Sequence, residues 1–559
     1  MKLRKLLALL LVLVMAFSVL AACSSDDAEG GSAPAGDSSG SGSGSGGGSD
    51  SSSSGSSSDA ASDGGEVVLN VGSTNAMFLN GLEATGKDSI VSTNASGVQG
   101  LVYDTLFYPD ETGTMVSDIV TEYSYSEDNL EFTFTIRDDV TFASGDTLTA
   151  EDILFSLACK QTSARPAYYT PINVEKSYIH DDGLTITFVY DFVFGPGIKY
   201  LDFTIANKSF YESLAPDGDY SAVNWYDASC VDGTGPYVIK SYTQDNNATL
   251  VLRDNYWGDI SQYEVDTFNL FRYTDATTMY IDFENKVIDV AIGIASEDAV
   301  RLQDNGPEHG ALGLIESNAV VMLCMNERKN EYLADPVVRE AIAHALDTEV
   351  ITDVCMGIYG TPAKSTLSQN MPAFVDGYSY DYDPDYSRQI MADAGYAEGE
   401  IVLTYITTSA STEQTNLAEL VQSYLDDIGI TVNIETYDMG TMLPMLMQGL
   451  SDFQRQTTSD GTPQLEVYEC YSALPEDSVF QAVGIPDAEI NEQLRIGYSN
   501  VDESIRNAAY GEVQRLLYES FRHIPLYEWK TGFAYNVETI EDITILSANK
   551  VNLRFIDPA

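Results

Sequence analysis

Four histidines and six cysteines are all that this 559-residue chain offers to a transition metal or a thiol mechanism. His180, His309, His344 and His523 lie far apart, with no pair spaced to share a metal on one strand or helix. Cys159, Cys230, Cys324, Cys355 and Cys470 include no C-x-x-C, and no G-x-S-x-G or H-E-x-x-H occurs. Carboxylates are abundant, 85 in all, so pairs at glycosidase spacing arise by chance and carry little weight. The expectation is a protein without catalytic residues, metal site or cofactor. What the residue types support is recognition. Asp460, in "TTSDGTP", is placed to pair with a cationic group, and Arg455 to grip a carboxylate with two prongs. Thr457, Thr458, Thr74 and Asn75 offer short hydrogen bonds, and Tyr437 and Tyr527, with Tyr168, Tyr169 and Trp529, offer rigid amphipathic rings. Each has a plainer role open to it: an Asp-Gly turn for Asp460, an ion pair with surplus acids for Arg455, turn chemistry for the threonines, core edges for the rings.

These residues gather only if the chain folds in a particular way. "IVLTYITT" and "ITVNIETY" read as strands, and between them a helix from about Glu413 to Ile428 buries Leu417, Leu420, Val421, Tyr424 and Leu425 and stops at Gly429. That is a βαβ unit, with parallel strands and a right-handed crossover. A helix near Met442 to Leu450 and a short strand in "DFQRQTTS" extend it. Ligands of such sheets sit beyond the carboxyl ends of the strands, so the loops starting at Thr407, Tyr437 and Thr457 aim at one place. Upstream, "EVVLNVGS" is a strand ending in "STNA", and "LEFTFTIRDDVTF" alternates with a period of two. "TAEDILFSLACK" opens with Thr149 and Asp152 as a variant capping box, and "GTGPYVIKSYTQDNNATLVLRDNYWG" is a hairpin approached through a tight turn at Gly233, Gly235 and Pro236. "DPVVREAIAHALDTEVITDVCMGIYG" reads as helix from the Asp335 cap to the Gly357 stop, with Ile342, Ala345, Leu346, Ile351 and Val354 on one face. Asp383, Pro384 and Gly395 repeat the device.

The amino end explains where such a body works. Lys2, Arg4 and Lys5 precede an apolar run, Leu6 to Leu20, too short for a comfortable membrane span. "LAAC" then resembles the lipobox of bacterial lipoproteins, which implies lipid attachment at Cys23. Residues 24–65 are almost wholly Ser, Gly, Asp and Ala, a composition that cannot offset its ordering entropy and behaves as a leash averaging ~35 Å. The net charge of −57, nearly all of it beyond residue 65, repels nucleic acid and anionic lipid.

Eight stretches in order, "LVYDTLFYPDETGTM", "SEDNLEFTFTIRDDVTFASGDTLTAEDILFSL", "GTGPYVIKSY", "RDNYWG", "DPVVREAIAHALDTEVI", "MADAGY", "LDDIGITVNIE" and "HIPLYEW", resemble the peptide/nickel-binding family of ABC-transporter substrate-binding proteins, solute-binding family five. The resemblance implies an α/β, bilobal, type II periplasmic-binding-protein-like fold of the large class (cluster C), with an extra subdomain inserted in the first lobe. The expected organisation is a signal peptide over 1–22, a lipid-anchored linker over 23–65, a first lobe over 66–314 with its insert at about 89–229, a second lobe over 315–524, and a return segment over 525–559. It further implies a monomer on the outer face of the cytoplasmic membrane that captures short peptides and hands them to an ABC permease. Oligosaccharides, metal chelates or haem are alternative ligands, and a secreted hydrolase or an adhesin is the alternative of another class. Peptide-binding members usually carry an aromatic residue and an aspartate near "GWxxDxxDP"; "TTSDGTP" keeps Asp460 and lacks the tryptophan.

Overall fold

Strands of one large mixed sheet account for most of the regular β structure of the body. The computed structural model describes residues 65–74, 98–110, 114–117, 119–161, 171–195, 197–201, 203–219, 227–243, 246–457, 487–546 and 550–559. Residues Glu66–Ala559 form one unit, in which an eleven-stranded sheet runs from edge to edge in the order Thr431–Tyr437, Val402–Thr408, Phe453–Thr457, Ala311–Met325, His523–Tyr535, Val290–Ile292, Val68–Ser73, Thr267–Arg272, Asn247–Leu252, Tyr237–Thr243; Gly360–Pro362 pairs with His523–Tyr535 off this path. Among the described residues no helix is long and apolar enough to cross a membrane.

The sheet has two halves with the same logic. In one, Val402–Thr408 is parallel to Thr431–Tyr437 and to Phe453–Thr457; in the other, Val68–Ser73 is parallel to Thr267–Arg272 and Val290–Ile292. Only two strands belong to both halves, Ala311–Met325 and His523–Tyr535, paired antiparallel from Ala311 opposite Tyr535 to Cys324 opposite His523. Each half has a core of its own. Leu417, Val421 and Leu425, from the helix Thr412–Asp427, pack against Leu403, Tyr405 and Phe453, whereas Val71, Leu250, Phe268 and Leu270 belong to the opposite half. The helix ends where the sequence puts its stop: Gly429 has φ +83°, a left-handed conformation that glycine adopts without penalty.

A third core is built by the stretch of sequence between the strands Val68–Ser73 and Tyr237–Thr243. The strands Val120–Tyr125, Glu131–Ile136, Thr185–Tyr190 and Ile172–Ile179 form a separate antiparallel sheet, in that order, and the helix Ala150–Gln161 contributes Ile153 and Leu157 to a cluster with Phe132, Phe134 and Phe188. Alternation is strict in Glu131–Ile136, where every second side chain is buried. The helix starts on the expected cap, with Asp152 Oδ2 accepting from both the Thr149 amide (2.8 Å) and its hydroxyl (2.6 Å).

Two expectations need correction. The stretch from Asp335 to Gly357 is two helices, Pro336–Ala345 and Thr348–Met356, because Leu346 is extended and Asp347 caps a new start by accepting from the Val350 amide. A second good cap after an apolar run competes with continuation, and the break turns Val354 outward, 46% exposed. The glycines of "GTGPY" serve close approach more than turn geometry. A Cβ on Gly233 would lie 2.1 Å from the Val102 carbonyl oxygen, and one on Gly235 2.5 Å from the Val102 carbonyl carbon, while the Gly235 amide donates to Val102 O at 2.8 Å. Backbone here meets backbone, and neither side can yield as a side chain would. Gly233→Ala is therefore expected to cost at least about 2 kcal/mol. Chemical denaturation measures this, and an unchanged midpoint would show that the two segments part freely.

Candidate functional site

The carboxyl ends of both sets of parallel strands point at the middle of the two shared strands. Val290–Ile292 runs antiparallel to His523–Tyr535 and ends at the level of Gly532, whose carbonyl accepts from the Gly293 amide at 2.9 Å. Phe453–Thr457 runs antiparallel to Ala311–Met325, with Thr457 opposite Val321, which in turn faces Tyr527. The two rims thus stand five residues apart on one strand, roughly 16 Å at the rise of a strand. Between them the ladder skips: Glu316 pairs with Lys530 and Val320 with Glu528, so the segment Ser317–Ala319 bulges from the floor. An ion pair between Lys530 Nζ and Glu316 Oε1 (2.7 Å) spans the floor beside the bulge.

On the second-half wall, Arg455, Thr457 and Tyr527 are brought together by a residue that the sequence reading missed. Glu413, in the first turn of the helix Thr412–Asp427, accepts from Arg455 Nε at 2.8 Å and from the Tyr527 hydroxyl, and Arg455 Nη1 donates to Thr457 Oγ1 at 2.8 Å. The Arg455 and Glu413 side chains are 21% and 18% exposed. Burial works against the guanidinium, but the Glu413 charge and Tyr527 outweigh it and hold its pKa above the usual value. Burial, then Glu413, raises Tyr527 as well, and burial reinforced by Glu413 pushes the Cys355 thiol up to about 12, a thiol without nucleophilic character at neutral pH. Arg455 is accordingly engaged with a carboxylate of its own half. The signal that could have found Glu413 is positional, since the first turn after a strand of a βαβ unit borders the crevice.

Thr74 closes the strand Val68–Ser73 on the facing rim, its amide donating to Ile292 O (3.3 Å) and its hydroxyl to Gly293 O (3.2 Å). Gly293 has φ +82°, and a Cβ there would lie 2.6 Å from the Thr74 hydroxyl, so the rim is shaped by a glycine. Tyr437 sits apart, at the end of the edge strand, with its hydroxyl donating to Glu435 Oε2 at 3.1 Å. Trp529 is half-buried on the shared strand. Asp460, Thr458, Asn75, Tyr168, Tyr169, Cys470 and Cys23 lie outside the described residues. Among the described residues no group of three or more His, Cys, Asp or Glu is placed to hold a metal ion.

Two half-sheets with parallel strands, joined by one pair of shared strands toward whose middle both sets of carboxyl ends run, have the architecture of a bilobal α/β binding-protein-like fold. The comparisons give that class its family. Residues 114–480 match the bacterial extracellular solute-binding proteins, family 5 Middle, and the chain belongs to that family. It is 24% identical over 467 residues to the nickel-binding periplasmic protein of Escherichia coli (strain K12), covering 78% of this chain and 85% of that one. It is also 24% identical over 444 residues to di/tripeptide-binding protein 2 of Pseudomonas aeruginosa (strain UCBPP-PA14), covering 74% and 81%. In fold it is similar to the ABC transporter substrate binding protein CtaP of Listeria monocytogenes, with TM-score 0.73 at 18% identity over 88% of this chain and 99% of that one. The chain is a solute-binding protein, and its family and relatives are binding proteins rather than enzymes.

The pair at the wall makes a direct test. Glu413→Gln leaves the Arg455 guanidinium in a largely buried place beside a neutral amide, and is expected to cost about 2 to 4 kcal/mol. Combining it with Arg455→Met is expected to recover part of that loss, and strict additivity of the two changes in denaturation would show that the groups do not act together.

Proposed function

We propose that this chain is a lipid-anchored receptor on the outer face of the cytoplasmic membrane that captures short peptides between its lobes and delivers them, unchanged, to an ABC importer. The observation that carries the capture reading is the convergence of both sets of strand ends on the bulge between Glu316 and Val320. A guest held there touches both lobes only when they close, so its differential affinity shifts the population toward the closed state.

Three features favour a peptide with a free amine. Arg455, the cation of the wall, is matched by Glu413, which leaves no unpaired positive charge in that cluster for an anionic guest. The chain as a whole is strongly acidic, which attracts cations. Asp460 follows the rim residue Thr457 by three positions in the sequence, a carboxylate available to pair with an ammonium group. The di/tripeptide-binding relative adds support from outside the chain.

Native mass spectrometry of freshly purified protein, followed by calorimetry with the masses found, tests the ligand class. Retained peptides are expected; a retained sugar, haem or metal chelate, or a guest converted to product, would overturn the peptide reading. Asp460→Ala is expected to weaken peptide binding by about tenfold or more, the equivalent of one charge-assisted hydrogen bond. Unchanged affinity would remove that residue from the site. The anchor rests on "LAAC" and on the leash that follows it. Cys23→Ala is expected to release the protein from the membrane fraction and to abolish labelling by a radioactive fatty acid, and an unlabelled wild-type protein would end the lipid assignment.

A further inference from the structure

A bulge in a buried ladder strips backbone groups of their strand partners, and they must find others. Here one comes from within the bulge and another from a single loop. The Ala319 amide turns to Ser317 Oγ (2.9 Å), and the Ser317 carbonyl accepts from Asn370 Nδ2 (3.0 Å). Opposite the bulge, on the returning strand, the Glu528 carboxylate accepts from Ser368 Oγ at 2.6 Å and from the Gln369 amide at 3.2 Å. Three consecutive residues, Ser368 to Asn370, therefore hold both shared strands at the wider of their two register breaks, the one between Glu316 and Val320. Ser317 and Ser368 are buried, and Glu528 is 4% exposed, with burial raising its pKa above the ordinary carboxylate range. Each of its oxygens accepts from the loop, so Glu528 ties the returning strand to Ser368 and Gln369.

The loop is rooted in the second lobe. Ser365 Oγ donates to Gln514 Oε1 (2.8 Å), the Val375 amide donates to the same oxygen (3.0 Å), and the Ala363 amide donates to Leu526 O (3.1 Å). Its grip fixes the bulge to that lobe, and so sets the position and direction from which the two shared strands run on into the first lobe. On that side a Cβ on Gly532 would lie 2.2 Å from the Tyr359 hydroxyl oxygen, and Tyr359 donates to Ile294 O of the first lobe at 2.9 Å.

We infer that Ser368, Asn370 and Glu528 form a hinge staple: positioning residues that set the rest angle between the lobes and thereby the affinity for solute, without touching it. Loosening the staple widens the range of angles in the empty protein, so that closure on a guest costs more conformational entropy.

The test uses the full chain with Asn370→Ala, at an exposed position where folding is not at risk, Ser368→Ala, and Ser368→Thr, which keeps the hydroxyl. Backbone hydrogen exchange and small-angle scattering are recorded on the empty protein, and affinity is measured with trialanine as probe. Both alanine variants are expected to speed exchange over residues 317–319 about tenfold, to alter the scattering radius of the empty protein, and to raise Kd for trialanine about fivefold, with Ser368→Thr close to the natural protein. Unchanged exchange overturns the staple, and faster exchange with an unaltered radius overturns it too, because the loop would then serve local stability alone. The affinity measurement rests on the peptide reading. If the natural protein fails to bind trialanine, that reading loses support, while exchange and scattering on the empty protein still decide the staple.

Discussion

The pairing of Ala311–Met325 with His523–Tyr535 is the constraint from which the rest follows. It joins two half-sheets that otherwise share no strand: Val290–Ile292 continues the ladder at the Tyr535 end, and Phe453–Thr457 at the Met325 end. About two hundred residues separate the partners, yet the entropic cost of closing so long a loop grows only with the logarithm of its length. The gain is local and large, since Val320, Val321, Met322, Leu323 and Cys324 are all fully buried, as are Ile524, Leu526 and Tyr527 opposite them. Because each half-sheet is antiparallel to the shared strand it touches, the direction of the shared strands decides where both sets of carboxyl ends point. A crevice between them is a consequence of strand direction before any side chain is considered.

What could be read from the sequence followed the strength of local signals. The βαβ unit was legible to within a residue, Val402–Thr408 and Thr431–Tyr437 against "IVLTYITT" and "ITVNIETY", because alternation, an amphipathic helix and a glycine stop agree. The hairpin Tyr237–Thr243 and Asn247–Leu252 was equally plain. The fifteen-residue strand Ala311–Met325 was not, because "ESN" at Glu316 to Asn318 interrupts its apolar run. That interruption is the bulge, so the feature that breaks the register is also the one that hides the strand. The site was legible by location more than by role. Arg455, Thr457 and Tyr527 do meet, but through Glu413, and no periodicity says which of 85 carboxylates a given arginine will find.

The excess of acids over bases shapes the electrostatics of the whole body. With 28 bases against 85 acids, each cation has a choice of carboxylates, and the buried ones sit where distant parts of the chain meet. Arg554 joins the carboxyl end to Asp104 (2.8 Å) and to Tyr103 O (2.6 Å), and Arg522 Nε holds Glu327 Oε1 at 2.8 Å while its Nη1 reaches Asp487 at 3.2 Å. Arg455 with Glu413 is the same device at the crevice wall. Replacing such pairs by apolar side chains need not lower stability, whereas stripping one partner leaves a buried charge, so their value lies in which segments they allow to meet. Each cation fixed at such a joint neutralises one carboxylate, and the acids left over set the sign of the field around the chain.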